Sequence, residues 1–513
     1  MVEIGYSSLN LEGINDIVFK GKKIVLSDEL IEKVEESYKF LTDFSKDKVI
    51  YGINTGFGPM AQYKIEEKDQ LDLQYNLIRS HSSGFGKPIS PQDVKASMIA
   101  RMNTLSLGYS GVHLSAVTIL KEFINNDITP LIFEHGGVGA SGDLVQLAHL
   151  ALVMIGEGKV FYKGELRPTA EVLKELDIEP MKVHLREGLA IMNGTSVMTG
   201  IGIVNSIYAQ RAIEWSIAST LMICEMVDSY DDYFSRELNH SKKHVGQQQV
   251  ASILYDYMND SQYIRKRESS LYRDNSDKKH FEDKVQEYYS LRCVPQIVGT
   301  ILETVKQSQK LLVEEINSAN DNPIVDVKAR NVLHGGNFHG DYVSFEMDKL
   351  KIAITKLSML AERQINFLMN PALNGLLPPF ANLGKLGFNF GMQGVQFTAT
   401  STTAENQTLS TPMYIHSIPN NNDNQDIVSM GTNAATITRK VIDNTFEVLA
   451  IELISIVQSL DLIKKTDGLS AKSKECYNAV RNIVPKFTND YPIYEDLERV
   501  KKYLLENSPI ENL

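Results

Sequence analysis

Cysteine is scarce in this chain: three residues, Cys224, Cys293 and Cys476, among 513. Their spacing matches neither a disulfide framework nor a zinc pattern. Cys224 and Cys293 stand in apolar surroundings and read as packed thiols, so a reduced, cytoplasmic setting is expected. Long apolar runs are missing too; none reaches the roughly 18 residues expected of a membrane span. Met1 to Asp16 shows no basic stretch followed by an apolar core, and no secretory leader is expected. Positive charge is in deficit, with 52 Lys and Arg against 64 Asp and Glu, a net charge of −12. Nucleic acids and anionic membranes demand clustered positive charge, which speaks against both as partners. Lys242-Lys243 and Arg265-Lys266-Arg267 are too short to form such a patch and read as solvated surface.

What is present is an ordinary globular composition, 43% hydrophobic and 23% charged, on a chain long enough for a large core. Helical periodicity dominates. Ser27 to Phe44 reads as an amphipathic helix capped by Ser27 or Asp28, and Val94 to Ser106 as another. Beyond Asn193 come four long runs: Thr199 to Val227, Val298 to Asn317, Val343 to Met369 and Thr436 to Leu462. In the third, Met347, Leu350, Ile354, Leu357, Leu360, Ala361, Ile365 and Leu368 make one stripe. Runs of about 20 to 30 residues exceed the usual globular helix and point to a bundle. Short β segments are expected at Val160 to Leu166 and Ile324 to Leu333, around the turns Lys163-Gly164 and Ala329-Arg330-Asn331. Asn320-Asp321-Asn322-Pro323 breaks the helical pattern. The expected fold class is mainly α: a long-helix bundle (196–465), a smaller mixed N-terminal part (1–195) and a C-terminal helical cap (466–513).

The most informative segment is His135-Gly136-Gly137-Val138-Gly139-Ala140-Ser141-Gly142-Asp143-Leu144, just before an apolar run from Leu144 to Ile155. Small residues let a backbone nitrogen fold back on a carbonyl two residues earlier, and Gly142 removes the Cβ obstacle. Attack of the Gly142 nitrogen on the Ala140 carbonyl, with loss of water, closes a five-membered imidazolone. Loss of the Ser141 hydroxyl leaves an exocyclic methylidene, an electrophile that no ordinary side chain supplies. A plainer reading stands beside it, in which Ser141 or Asp143 merely caps a helix. The turn lacks the lysine of a phosphate-binding loop and does not fit the G-x-S-x-G of a hydrolase elbow.

Other segments bear on the choice. Tyr51-Gly52-Ile53-Asn54-Thr55-Gly56-Phe57-Gly58, Gly137 to Leu150, Asn193-Gly194-Thr195, Tyr289-Ser290-Leu291-Arg292-Cys293, Asp321-Asn322-Pro323, Gly335-Gly336-Asn337-Phe338-His339 and Asn424-Gln425-Asp426 occur in that order. In these segments, and from about residue 10 to about residue 465, the chain resembles the aromatic amino-acid ammonia-lyase family. That family comprises the histidine, phenylalanine and tyrosine ammonia-lyases and the related aminomutases. The resemblance implies that Ala140, Ser141 and Gly142 become 4-methylideneimidazole-5-one, with no metal and no dissociable cofactor. It also implies a mainly α homotetramer whose active sites are completed by several subunits.

Eliminating ammonia from an α-amino acid requires help for a poor leaving group and a base for a weakly acidic β-hydrogen. The electrophile serves the first need, and helix N-termini around it would stabilise negative charge on its oxygen. Tyr51 matches the family's base; a free tyrosine titrates near about 10, so it needs positive surroundings. Arg292 would hold the substrate carboxylate through its planar fork, and Tyr289, three residues earlier, would share its helical face. By resemblance Gln286 and Asn322 line the same end, Asn193 donates to the imidazolone, Phe338 packs on it, and Glu405 and Gln425 complete the pocket.

Ser80-His81 occupies the family's selectivity position. A polar pair disfavours phenylalanine, whose ring offers no replacement for lost water contacts. Histidine-specific members typically carry Ser-His here, and many bacterial tyrosine-specific ones His-Leu, so the pair alone does not separate tyrosine from histidine. Asn424-Gln425-Asp426 lacks the extra acidic residue usual in histidine members. The chain as a whole looks most like tyrosine ammonia-lyases of flavobacterial type. The expectation is elimination of ammonia from L-tyrosine to give trans-p-coumarate, with L-histidine to urocanate, or an aminomutase, as alternatives.

Overall fold

The computed structural model describes residues 1–5, 7–272, 279–281, 284–510 and 513. Among these the chain is mainly helical, with 20 α-helices against nine short strands in four small sheets. Helices start where the sequence provides a cap. Asp28–Phe44 begins at Ser27, whose Oγ accepts from Leu30 N at 3.2 Å. Pro91–Ser106 begins at Ser90, earlier than periodicity suggests, because a proline needs no N–H in a first turn. The four long runs form Ser196–Met226, Val294–Ile316, Asp341–Met369 and Gly431–Ile463. All eight residues of the Met347–Leu368 stripe are buried, each contributing roughly 1.5–3 kcal/mol of apolar burial where the side chain is large.

The two expected hairpins form. Lys159–Tyr162 pairs antiparallel with Glu165–Pro168. The intervening Lys163 and Gly164 take φ of 52° and 82°, the left-handed pair that a two-residue turn requires. Ile324–Asp326 pairs with Asn331–Leu333.

The compact units do not follow consecutive segments. One comprises Met1–Asn205, Ser308–Asp348 and Pro412–Thr438; the other Ser206–Gln307, Lys349–Thr411 and Arg439–Leu513. The expected division at 195 and 465 differs because every long helix continues past the point where its partners change.

The stretch Arg265-Lys266-Arg267 is not simply solvated surface. Arg265 donates to Asp228 O at 2.7 Å and lies 4.9 Å over the Tyr230 ring. Arg267 pairs with Asp232 and covers the same ring at 4.4 Å. Tyr230 is buried, so the two guanidiniums act as its aromatic packing. The three cysteines are free thiols; Cys224 and Cys476 are buried and Cys293 half-buried. Burial pushes the Cys476 thiol up to about 12 and the Cys224 thiol higher still.

In the first unit the Asp321-Asn322-Pro323 segment is pinned by Arg186. Its guanidinium donates to Ser110 O at 2.6 Å, Pro323 O at 3.2 Å, Asn322 O at 3.0 Å and both Asp321 oxygens at 3.2 Å. Arg186 and Asp321 side chains are wholly buried. Asp321→Ala strands a buried cation and is expected to cost about 3–5 kcal/mol. Urea unfolding checks this, and a loss below about 1 kcal/mol would remove the pair from its structural role.

Candidate active site

The glycine-dense turn lies where four helices of the first unit begin. Leu144–Met154 follows it directly. Gly142 forms a parallel bridge with Gly194, two residues before Ser196–Met226 starts. Gly340 N donates to Gly139 O at 3.0 Å, just before Asp341–Met369. Met430 N donates to Val138 O at 2.9 Å, just before Gly431–Ile463. Four positive dipole ends therefore gather at one short segment.

The turn tolerates no side chain at Gly142. Its φ is +69°, and an added Cβ would lie 2.0 Å from Gly194 O. Asp143 caps a helix, but not the one it precedes. Its Oδ2 accepts from Val197 N at 2.8 Å and Met198 N at 2.9 Å, and its Oδ1 accepts from the Thr432 hydroxyl. The carboxyl is wholly buried, and burial outweighs these donors and the nearby Arg101, raising its pKa to about 6. Arg101, also buried, donates to Asn193 O at 2.9 Å and Asn320 Oδ1 at 3.1 Å. Burial draws its pKa down to about 10. Asn320 in turn donates to Thr195 Oγ1 at 2.9 Å. The Asn193-Gly194-Thr195 segment is thus fixed from behind.

On the front, Asn193 Nδ2 donates to Ser141 O at 3.3 Å and Gln425 Nε2 donates to Ser141 Oγ at 2.9 Å. Asn193 Oδ1 is buried without a partner. These residues open on a cavity of about 320 Å³, which Tyr51, Ser80, His81, Ser141, Asn193 and Gln425 all line. The Tyr51 hydroxyl accepts from Gly58 N at 3.1 Å, and Phe57 meets its ring edge-on at 6.1 Å.

Ser80 and His81 end the helix Gln70–His81. Ser80 Oγ donates to Leu77 O at 3.2 Å, and His81 Nδ1 stands 3.1 Å from that carbonyl and 3.0 Å from Ser80 Oγ. A carbonyl oxygen only accepts, so the Leu77 contact is satisfied by the tautomer with its hydrogen on Nδ1, whose Nε2 is an acceptor.

The remaining expected site residues do not line this cavity. Asn322 is in the first unit, where its Oδ1 accepts from Gly335 N at 2.9 Å. Phe338, half-buried, sits in the same unit beside Gly340, which bonds to the turn. Gln286, Tyr289, Arg292 and Glu405 belong to the second unit. Arg292 donates to Glu287 O at 2.7 Å and lies 4.6 Å over the Tyr289 ring, which is 69% exposed. Glu405 accepts from Asn444 at 2.6 Å and faces Lys440 at 3.6 Å.

Sequence reading missed several contributors. Gln74, fully buried, donates to Gly52 O at 2.9 Å and accepts from Leu189 N at 3.0 Å, joining the base loop to the helix before Asn193. Asn421 and Asn424 line the cavity from the loop between Asn420 and Gln425. Met60, Leu73, Leu77, Leu144 and Leu189 supply its apolar wall. A buried glutamine on an amphipathic helix was the available signal for Gln74; the wall residues carry none.

Comparison with known proteins identifies the family. A family model described as aromatic amino acid lyase matches residues 9–482. Histidine ammonia-lyase of Geobacillus sp. (strain WCH70) is 37% identical over 505 residues, covering 98% of this chain and 96% of that protein. Among solved structures, tyrosine aminomutase from Streptomyces globisporus matches with a TM-score of 0.94 at 35% identity, covering 98% of this chain and 96% of that one. Pantoea agglomerans phenylalanine aminomutase matches with a TM-score of 0.94 at 33% identity and 99% coverage of each. The curated relatives bear histidine in their name rather than the expected tyrosine. With the family model spanning most of the sequence and relatives matching nearly end to end, the chain belongs to the aromatic amino acid lyase family and is a carbon–nitrogen ammonia-lyase.

Proposed function

We propose that the protein eliminates ammonia from L-tyrosine to give trans-p-coumarate, using 4-methylideneimidazole-5-one formed from Ala140, Ser141 and Gly142. The observation that carries this reading is one cavity lined by Tyr51, Ser141, Asn193 and the Ser80-His81 pair. The residues fit the prosthetic group. A Cβ-free Gly142 lies against Gly194, and Asn193 presents both a donor to Ser141 O and a buried, unpartnered Oδ1. The group supplies an electrophile that makes the amine a better leaving group. Every other demand falls on the chain's own side chains. Tyr51, whose hydroxyl lies in the cavity wall and accepts from Gly58 N, removes the β-proton.

For the ring, the His81 acceptor at Nε2 suits a substrate that donates, and a phenol does so. Among the described residues, no Asp or Glu lines the cavity. We take a neutral phenol as the better match to this chain's own part of the lining, since an imidazole gains charge in weak acid. The histidine reading is carried by a different observation, the curated histidine ammonia-lyases at 37% identity over 98% of the chain. Assay with L-tyrosine, L-histidine and L-phenylalanine separates them. The tyrosine reading expects p-coumarate and free ammonia, without β-tyrosine, at the highest kcat/KM. Faster urocanate formation establishes the histidine reading instead. Ser80→Phe with His81→Leu leaves the phenol unpaired, costing about 1–3 kcal/mol for tyrosine relative to phenylalanine.

Two variants test the assigned roles. Ser141→Ala should lose most turnover while keeping the wild-type circular dichroism. Tyr51→Phe should lower kcat by about 10²–10⁴-fold, the usual worth of a positioned base, with little change in binding. Near-normal turnover in either removes that residue from its role.

We further propose a homotetramer in which neighbouring subunits complete each cavity. In support, no Lys or Arg lines the cavity among the described residues, so nothing there pairs with a substrate carboxylate. Tyr289, beside Arg292, is largely exposed. Within the first unit Ile415, Ile418 and Ile427 are exposed as well, between 63% and 71%, and within the second so are Phe388, Phe390 and Phe397, between 63% and 74%. Tyr51→Phe and Arg292→Ala chains, each nearly inactive alone, should recover activity when co-assembled. Absence of any recovery in mixed oligomers would place both residues in one chain's site.

A further inference from the structure

The Ser141 hydroxyl is the atom group that maturation must expel, and one side chain is aimed at it. We infer that Gln425 is a maturation residue, assisting departure of the Ser141 hydroxyl during formation of the prosthetic group. The inference rests on the imidazolone reading given above.

Two donors on separate segments grip the two oxygens of one residue. Asn193 Nδ2 reaches Ser141 O at 3.3 Å, and Gln425 Nε2 reaches Ser141 Oγ at 2.9 Å. The two oxygens have different fates. In ring closure the Gly142 nitrogen bonds to the Ala140 carbonyl carbon and passes its proton to that oxygen. The resulting hydroxyl leaves as water with the Ser141 amide proton, and a C=N bond remains. In the second dehydration the Ser141 Cα–H bond breaks and its electrons form the Cα=Cβ bond. The Cβ–Oγ bond breaks with its pair on oxygen, and the released hydroxide takes the Cα proton as water. Negative charge therefore develops on Oγ, where the Gln425 amide already donates. A donor fixed in advance at such a point stabilises the transition state without reorganising. Asn193 instead holds the carbonyl that stays in the ring and conjugates with the new double bond.

The loop that carries Gln425 is built to fix this aim. Asn421, Asn422 and Asp423 take successive left-handed φ of 55°, 53° and 59°. Asn420 N donates to Gln425 O at 3.2 Å, and Gln425 N donates to Asn420 O at 3.3 Å. The chain thus turns back on itself and delivers Gln425 beside its own starting point. Asn and Asp are the side-chain-bearing residues that enter this backbone region most readily. Asn422 is exposed and does not line the cavity, so its contribution is to the turn.

Intact mass of purified variants, with circular dichroism as the check on folding, tests the inference. Complete maturation removes two waters, about 36 Da, and ring closure alone removes about 18 Da. Gln425→Leu should accumulate chains about 18 Da below the sequence mass. A fully dehydrated Gln425→Leu chain overturns the inference. So does an unmodified one, which would make the residue necessary for ring closure instead. If Gln425→Leu does not fold, the Asn422 pair decides. Asn422→Val, which resists the left-handed turn, should give a mixture of both masses, while Asn422→Gly should mature fully. Full maturation of both overturns the inference. A wild-type chain at its unmodified mass refutes the imidazolone reading itself, so the two failures are distinct.

Discussion

The approach of Gly142 to Gly194 is the contact on which the site depends. It leaves no room for a Cβ, and it brings two helix starts within bonding distance of one turn. The buried carboxylate of Asp143 secures the arrangement by accepting from the first N–H groups of Ser196–Met226 and from Thr432. A buried carboxylate normally costs stability, and here burial does prevail in its raised pKa of about 6. Its folded-state pKa exceeds the free value, so its contribution to stability is largest in acid and is lost as pH rises through about 6. What the chain gains is geometric: a close-packed tripeptide at four dipole ends, with Arg101 and Asn320 fixing the facing strand of backbone.

From that contact the division of labour follows. The first unit holds the Ala140-Ser141-Gly142 turn, the Tyr51 loop and the Ser80-His81 pair, with Tyr51, Ser80, His81 and Ser141 lining one cavity. The fork expected to bind the carboxylate is in the second unit, stacked on Tyr289. An amino-acid substrate has an anionic end and a polar ring end. In the proposed reading His81 answers the ring, and among the described residues no Lys or Arg lines the cavity to answer the anion. The proposed sharing of sites between subunits supplies the missing cation.

Much of this was legible in the sequence because it follows from local rules. The long helices, the Ser27 cap, both hairpins and the small-residue turn rest on periodicity, capping and glycine freedom. The contacts that hold the site were not legible, because they join residues far apart in sequence. Gln74 reaches Leu189, and Arg101 reaches Asn193 and Asn320. Asp143 looked like a cap for the helix it precedes but serves a different one. The charge pattern misled at Arg265 and Arg267, since a planar guanidinium also packs on a buried tyrosine. The compact units cut across the long helices, because a long helix can change partners midway without any break in its pattern.

We propose that this turn becomes an electrophile because the fold holds Gly142 against Gly194 with no room for a Cβ. The most direct measurement is the mass of the proteolytic peptide containing residues 137–143, isolated from enzyme that turns over an aromatic amino acid. That peptide is expected to be about 36 Da lighter than its sequence, the loss of two waters. An unmodified peptide recovered from fully active enzyme would contradict it.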